Sequence, residues 1–151
     1  MSAGRPDGDA VLLRPDSDAV RIRKEVGDRI VAHARREAPL ECCGLLIATA
    51  GLITNAVPAR NVAASPTRFL IDPADHFAAI RAARAAGGTV AGAYHSHPRS
   101  PAMPSPSDRR AAPDTPWLHV IVSLADPGGP DLRAYWLNRN TAIELRIVEA
   151  P

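Results

Sequence analysis

His95 and His97 stand two residues apart, Ser105 follows eight positions after His97, and Asp108 comes three after that. Side chains at i and i+2 of a β-strand leave the same face, so the two imidazoles can reach one ion if the strand runs through them. Asp108 returns on a later element and offers an oxygen. Two nitrogens and one carboxylate oxygen suit zinc with a fourth position left for water, the catalytic rather than the structural arrangement. Water on such an ion has its pKa lowered toward about 7 and becomes a nucleophile near neutral pH. It still needs a base to take its proton and a donor for the oxyanion that forms. Ser105 can donate. A glutamate from elsewhere is the natural base, and the spacing of the cluster does not say which one.

The same residues have plainer readings. Two histidines at i and i+2 are weak evidence by themselves. Ser105-Pro106-Ser107-Asp108 is also a good helix start, with serine as N-cap, proline at N1 and an acid at N3 favoured by the helix dipole. Both roles can hold together, because the first turn of a helix also favours an anion. With this chain's own His, Ser and Asp frequencies, the four-residue spacing arises by chance on the order of once per thousand or two such chains. A metal site is the better reading.

The elements that must position these residues are legible from periodicity and turn chemistry. Residues 20–23 alternate as a short strand, and residues 24–37 place Val26, Ile30, Val31 and Ala34 at helical spacing before Pro39 ends the helix. Glu41-Cys42-Cys43-Gly44 leads into an apolar strand at 45–48, and Gly51 turns the chain into a second strand at 52–57. After an irregular stretch at 60–66, residues 68–71 read as a short strand. Asp72 caps a helix that starts at Pro73, carries Phe77, Ile80 and Ala83 on one face and stops at Gly87-Gly88. A strand of small residues at 89–94 then delivers His95 and His97. The helix that begins at Ser105 is closed by Pro113 and Pro116, and strands at 117–124, 131–137 and 143–148 complete the chain. The order is mixed, which predicts an α/β fold of the α+β type: a flexible leader at 1–18 and a single domain at 19–151.

Bulk properties exclude several function classes. The chain has 151 residues, and its 18 Lys and Arg against 16 Asp and Glu leave a net charge of +2, too little to imply a nucleic-acid or membrane partner. Aromatic residues are 4% of the chain and do not interleave with basic ones, which argues against a base-stacking surface. No apolar run approaches the ~18 residues of a membrane span. Cys42 and Cys43 are the two cysteines, and being adjacent their Cα atoms lie about 3.8 Å apart, too close for an ordinary disulfide. A reducing, cytoplasmic location is expected, with both thiols acting as small buried hydrophobes. His33 and His119 read as surface or packing residues. Asn61 and Tyr94 are within the range of residues that contact substrate backbone, with little in their spacing to support it.

His95-Ser96-His97-Pro98 with Ser105 and Asp108, preceded by Glu41-Cys42-Cys43-Gly44-Leu45-Leu46, resembles the JAMM (MPN+) zinc metalloprotease family. It is most similar to the small bacterial members that act on ubiquitin-like sulfur-carrier proteins, over roughly residues 20–148. The resemblance implies that His95, His97 and Asp108 hold one zinc per chain, that Glu41 is the general base, and that Ser105 steadies the water or the oxyanion. Read without it, Glu41 is an ordinary carboxylate at the start of a strand. The resemblance also implies a curved mixed β-sheet flanked by helices, of cytidine-deaminase-like type. It further implies hydrolysis of an amide or isopeptide bond after the C-terminal Gly-Gly of a ubiquitin-like sulfur carrier, releasing cysteine, a peptide or a conjugated protein. Segments 60–72 and 111–116 are short beside the insertions that grip ubiquitin chains in other members, so polyubiquitin specificity is not implied. Two rival readings stand beside this one. A non-haem iron enzyme uses a similar two-His, one-carboxylate triad, although oxygen chemistry needs neither Glu41 nor Ser105. A non-catalytic scaffold of the same fold would bind a carrier without cleaving it. Oligomeric state is not legible.

Overall fold

The computed structural model describes residues 18–151, so all but the last residue of the expected leader lies outside it. Ten elements follow in order: β1 (Ala19–Arg23), α1 (Lys24–Glu37), β2 (Cys43–Thr49), β3 (Leu52–Ala59), α2 (Pro73–Ala85), β4 (Thr89–His97), α3 (Pro106–Ala111), β5 (Trp117–Ser123), β6 (Asp131–Leu137) and β7 (Ala142–Ala150). The strands hydrogen-bond in the order β1-β3-β2-β4-β5-β6-β7, and the curved mixed sheet goes further than expected by closing into a barrel. Closure runs through β1, which pairs in parallel with β7 from Ala19↔Arg146 to Arg23↔Ala150 and touches β3 only at Arg21↔Leu52 and Ile22↔Ile53.

Period-2 alternation divides each strand between two faces. On the inner face Val20, Ile22, Leu46, Ile53, Leu118, Val120, Val122 and Leu145 pack around Val26, Ile30 and Ala34 of α1. Full burial of each Val or Ile there stabilises by about 1.5–3 kcal/mol, which holds α1 against the sheet although its N-cap, Arg23, makes no side-chain cap bond. On the outer face Ala79 of α2 packs on Leu45 and Ala93, and Ala102 of the proline-rich loop packs on Ile121 and Tyr135. The candidate site lies on this outer face, at the C-terminal end of β4.

Glycine sets the spacing of the central strands at two points. A Cβ on Gly44 would lie 2.3 Å from the Tyr94 ring, so β2 leaves the space that this ring crosses, and the Tyr94 hydroxyl reaches His33 Nδ1 at 2.8 Å. A Cβ on Gly92 would lie 2.1 Å from the Leu118 carbonyl oxygen, which lets β4 and β5 run close in parallel.

Two local expectations differ from the structure. Residues 68–71 form no strand; only Ile71 bridges, to Asn61. Their polar backbone groups go to the Asn61 side chain instead, which donates to Arg68 O at 3.0 Å and accepts from Leu70 N–H at 2.9 Å. Phe77 is not on the packed face of α2. That face centres on Ala79 and Ala83, whose small side chains bring the helix close to the sheet, and Phe77 is 63% exposed.

Candidate metal centre

The site begins with the length of β4. Parallel pairing with β5 continues through His95↔Ile121 to His97↔Ser123, so the extended backbone runs through both histidines and sends both side chains outward. The return segment is pinned by its carbonyls: Ser100 O accepts from Ser123 Oγ at 2.6 Å and Ala102 O from the Tyr135 hydroxyl at 2.5 Å. α3 then starts with a full capping box. Asp108 N–H donates to Ser105 Oγ at 3.0 Å, and Ser105 N–H donates to Asp108 Oδ2 at 2.8 Å.

That same Oδ2 faces the histidines. His95 Nε2, His97 Nε2 and Asp108 Oδ2 form a triangle of 3.0, 3.1 and 3.2 Å, and all three residues are buried. The helix-cap reading and the metal reading of Ser105 and Asp108 are therefore both satisfied by one geometry. Among the described residues this is the group of three that can hold a metal ion. The donor set fits zinc. Ligand atoms ~2.0–2.1 Å from a tetrahedral ion stand roughly 3.3–3.4 Å apart, close to the triangle observed. Two imidazole nitrogens and a carboxylate oxygen at this distance repel one another unless a cation or a shared proton lies between them. The pKa shifts carry that signature. Burial lowers His97, but its hydrogen bonds to Asp108 and Pro101 outweigh burial and raise it. Burial raises Asp108, and the two histidines outweigh it and hold the carboxyl well below its ordinary range. Burial dominates at His95 and lowers it.

Glu41 precedes β2. Cys43 pairs with His95 in the antiparallel β2–β4 ladder, and Ser96 N–H donates to Cys42 O at 3.1 Å. Carrying that register two residues further sets Glu41 opposite His97 on the same face. Its main chain is held on both sides, by Ser65 O accepting from its N–H at 2.9 Å and by Asn61 Nδ2 donating to its carbonyl at 3.0 Å. Glu41 is only 4% exposed, and its Oε1 is buried without a hydrogen-bond partner among the described residues. Burial pushes its pKa up to about 8, with His97 pulling down and Asp108 pushing up. A carboxyl group with a buried oxygen that has no partner among the described residues and a raised pKa is a candidate for proton transfer.

All five residues expected at the site are brought together. The sequence reading missed His119 and Phe69. His119 Nε2 lies 2.7 Å from His95 Nδ1, and burial lowers its pKa to about 3, with His95 adding to that shift. Phe69 stacks on the His95 ring with centroids 4.2 Å apart and planes at 18°. Tyr94 and His33 pair on the inner face, away from the site, and the four side-chain hydrogen bonds of Asn61 are all internal. Burial raises the Cys42 and Cys43 thiols to about 11 and about 12, so neither is a thiolate near neutral pH.

Residues 23–138 match the family described as prokaryotic homologs of the JAB domain, and the chain belongs to that family. It is 34% identical over 116 residues to the CysO-cysteine peptidase of Mycobacterium tuberculosis, covering 76% of this chain and 80% of that protein. It is 37% identical over 109 residues to the desampylase of Haloferax volcanii, covering 68% and 76%. It is 42% identical over 118 residues to a "Probable TtuB-protein conjugate cleaving protease" of Thermus thermophilus, covering 78% and 75%. The solution structure of DSY2949 from Desulfitobacterium hafniense is similar at a TM-score of 0.80 and 31% identity, over 87% of this chain and 92% of that one.

Proposed function

We propose that the chain is a zinc-dependent hydrolase that cleaves an amide or isopeptide bond after the C-terminal Gly-Gly of a ubiquitin-like sulfur-carrier protein. The observation that carries this reading is the buried His95–His97–Asp108 triangle with the unpartnered Glu41 carboxylate on the same face. His95, His97 and Asp108 hold the ion. When bound, zinc supplies a Lewis acid for the scissile carbonyl and an acidic water for the attack. Glu41 Oε1, without a partner among the described residues, takes the proton from the attacking water and passes it to the leaving amine. Ser105, whose hydroxyl accepts the capping bond and lies 3.1 Å from Ser107 Oγ, steadies the water or the oxyanion when its proton turns to the site.

A cavity of about 300 Å³ adjoins the triangle, lined by the apolar Phe69, Ile71, Trp117 and Leu137 together with Asp108 and His119. Glu41 does not line it. A base that returns its proton to the leaving amine lies beside the leaving group, so this cavity belongs to the acyl side and receives the carrier's tail. Similar proteins are named for conjugates with cysteine and with protein, so the leaving group here is cysteine, a peptide or a conjugated protein. No described helix is long and apolar enough to cross a membrane, and we assign the enzyme to the cytoplasm. The test is Glu41→Gln. The variant retains zinc, measured by metal analysis, and loses turnover of a carrier conjugate; undiminished turnover refutes the assignment.

A further inference from the structure

We propose that His119 is a positioning residue that holds His95 in the one tautomer and orientation in which Nε2 can bind an ion. The inference rests on the metal reading above and adds a residue that the ligand set does not contain.

A neutral imidazole carries one proton, and a ligating nitrogen must be the one without it. His95 Nε2 faces His97 Nε2 at 3.0 Å and Asp108 Oδ2 at 3.2 Å, and for it to bind an ion there its proton must sit on Nδ1. His95 Nδ1 lies 2.7 Å from His119 Nε2, with the rings edge-on at 66°. His95 therefore donates and His119 accepts, which puts the proton of His119 on its own Nδ1. His97 is handled differently, since its Nδ1 donates to the Pro101 carbonyl at 2.7 Å. One ligand nitrogen is thus fixed by main chain and the other by a replaceable side chain.

The sheet register delivers His119 to this place. In the parallel β4–β5 ladder His119 pairs with Ala93 and Ile121 with His95, so His119 lies diagonally behind His95 on the outer face. Phe69 stacks on His95 at 4.2 Å and tilts across His119 at 5.6 Å. His95 is 0% exposed, so water does not stand in for a lost acceptor. The acceptor is also neutral. A carboxylate in this position would raise the basicity of the ligand and neutralise part of the ion's charge; an imidazole leaves that charge for the substrate.

The experiment measures zinc affinity by chelator competition for the wild-type protein, His119→Leu and His119→Gln, with urea unfolding of the metal-free forms to establish that each is folded. Leu removes the acceptor, and the expected loss is roughly 10–100-fold in affinity. Gln offers an amide oxygen near the position of Nε2 and restores most of it. His119→Leu binding zinc like the wild type, or Gln binding as weakly as Leu, overturns the proposal. Long-range 1H–15N spectra of the zinc-loaded wild type test it without any substitution: His95 and His119 must each carry a proton on Nδ1, and a proton on His119 Nε2 overturns it. Absence of zinc binding by the wild type would instead remove the metal reading itself.

Discussion

Glu41 should destabilise the metal-free protein, and the effect has a definite pH signature. The residue is 4% exposed, Oε1 has no partner among the described residues, and burial moves its pKa from 4.5 to about 8. Below pH 4.5 the group is neutral in the folded and the unfolded chain, and contributes nothing. Between these two values the unfolded chain releases the proton while the folded chain keeps it, so folding loses free energy as pH rises, and the loss levels off above the folded value. At pH 7 the difference spans about 2.5 pH units, or roughly 3 kcal/mol at 1.36 kcal/mol per unit; local relaxation and entry of water make this an upper bound. Glu41→Gln cannot ionise and escapes the loss. Urea unfolding in the presence of a chelator, between pH 5 and 8, should show the variant gaining on the wild type steadily up to about 1–3 kcal/mol. Any fixed cost of burying the amide cancels in the slope. A difference that does not change with pH would refute the reasoning, and a wild type that gains on the variant as pH rises would reverse it.

Two further outcomes follow from the same geometry. Zinc affinity should fall as pH drops through the raised pKa of His97, because the ion and the proton compete for Nε2; chelator competition should show up to a tenfold loss per unit there, and a flat profile would contradict it. Ser105→Ala removes the acceptor for Asp108 N–H, and should cost the metal-free protein about 1 kcal/mol and lower kcat at saturating zinc by roughly 10²-fold, while Ser105→Thr keeps the cap and most of the rate.

The His95–His97–Asp108 half of the site was legible because it depends on local rules. Strand alternation aims His95 and His97 to one side, and the serine–proline–acid start of α3 is a capping signal that also fixes Asp108. Glu41 was legible only by resemblance, since its role depends on the antiparallel register that sets it opposite His97, and a two-residue shift would remove it. His119 was hidden for the same reason. It lies in β5, and only the parallel β4–β5 pairing, made across the α3 connection, brings it to His95. Residues 68–71 have strand composition, yet the Asn61 side chain takes backbone bonds that a neighbouring strand would have made, and no local pattern announces that. Phe77 misled because helical spacing groups it with Ile80 and Ala83, whereas α2 approaches the sheet on Ala79 and Ala83. Closure of the barrel is a pairing of the first and last strands, the most distant in sequence.

The central claim is hydrolysis at a zinc site served by Glu41. The most direct measurement incubates the zinc-loaded protein with a Gly-Gly-tailed sulfur carrier joined to cysteine, to a peptide or to a lysine side chain, with and without chelator, and weighs the products. The expected products are free carrier ending in Gly-Gly and an intact amine from at least one conjugate, abolished by chelator and absent with Glu41→Gln. Intact conjugates in every case, or cleavage that survives both chelator and Glu41→Gln, would contradict it.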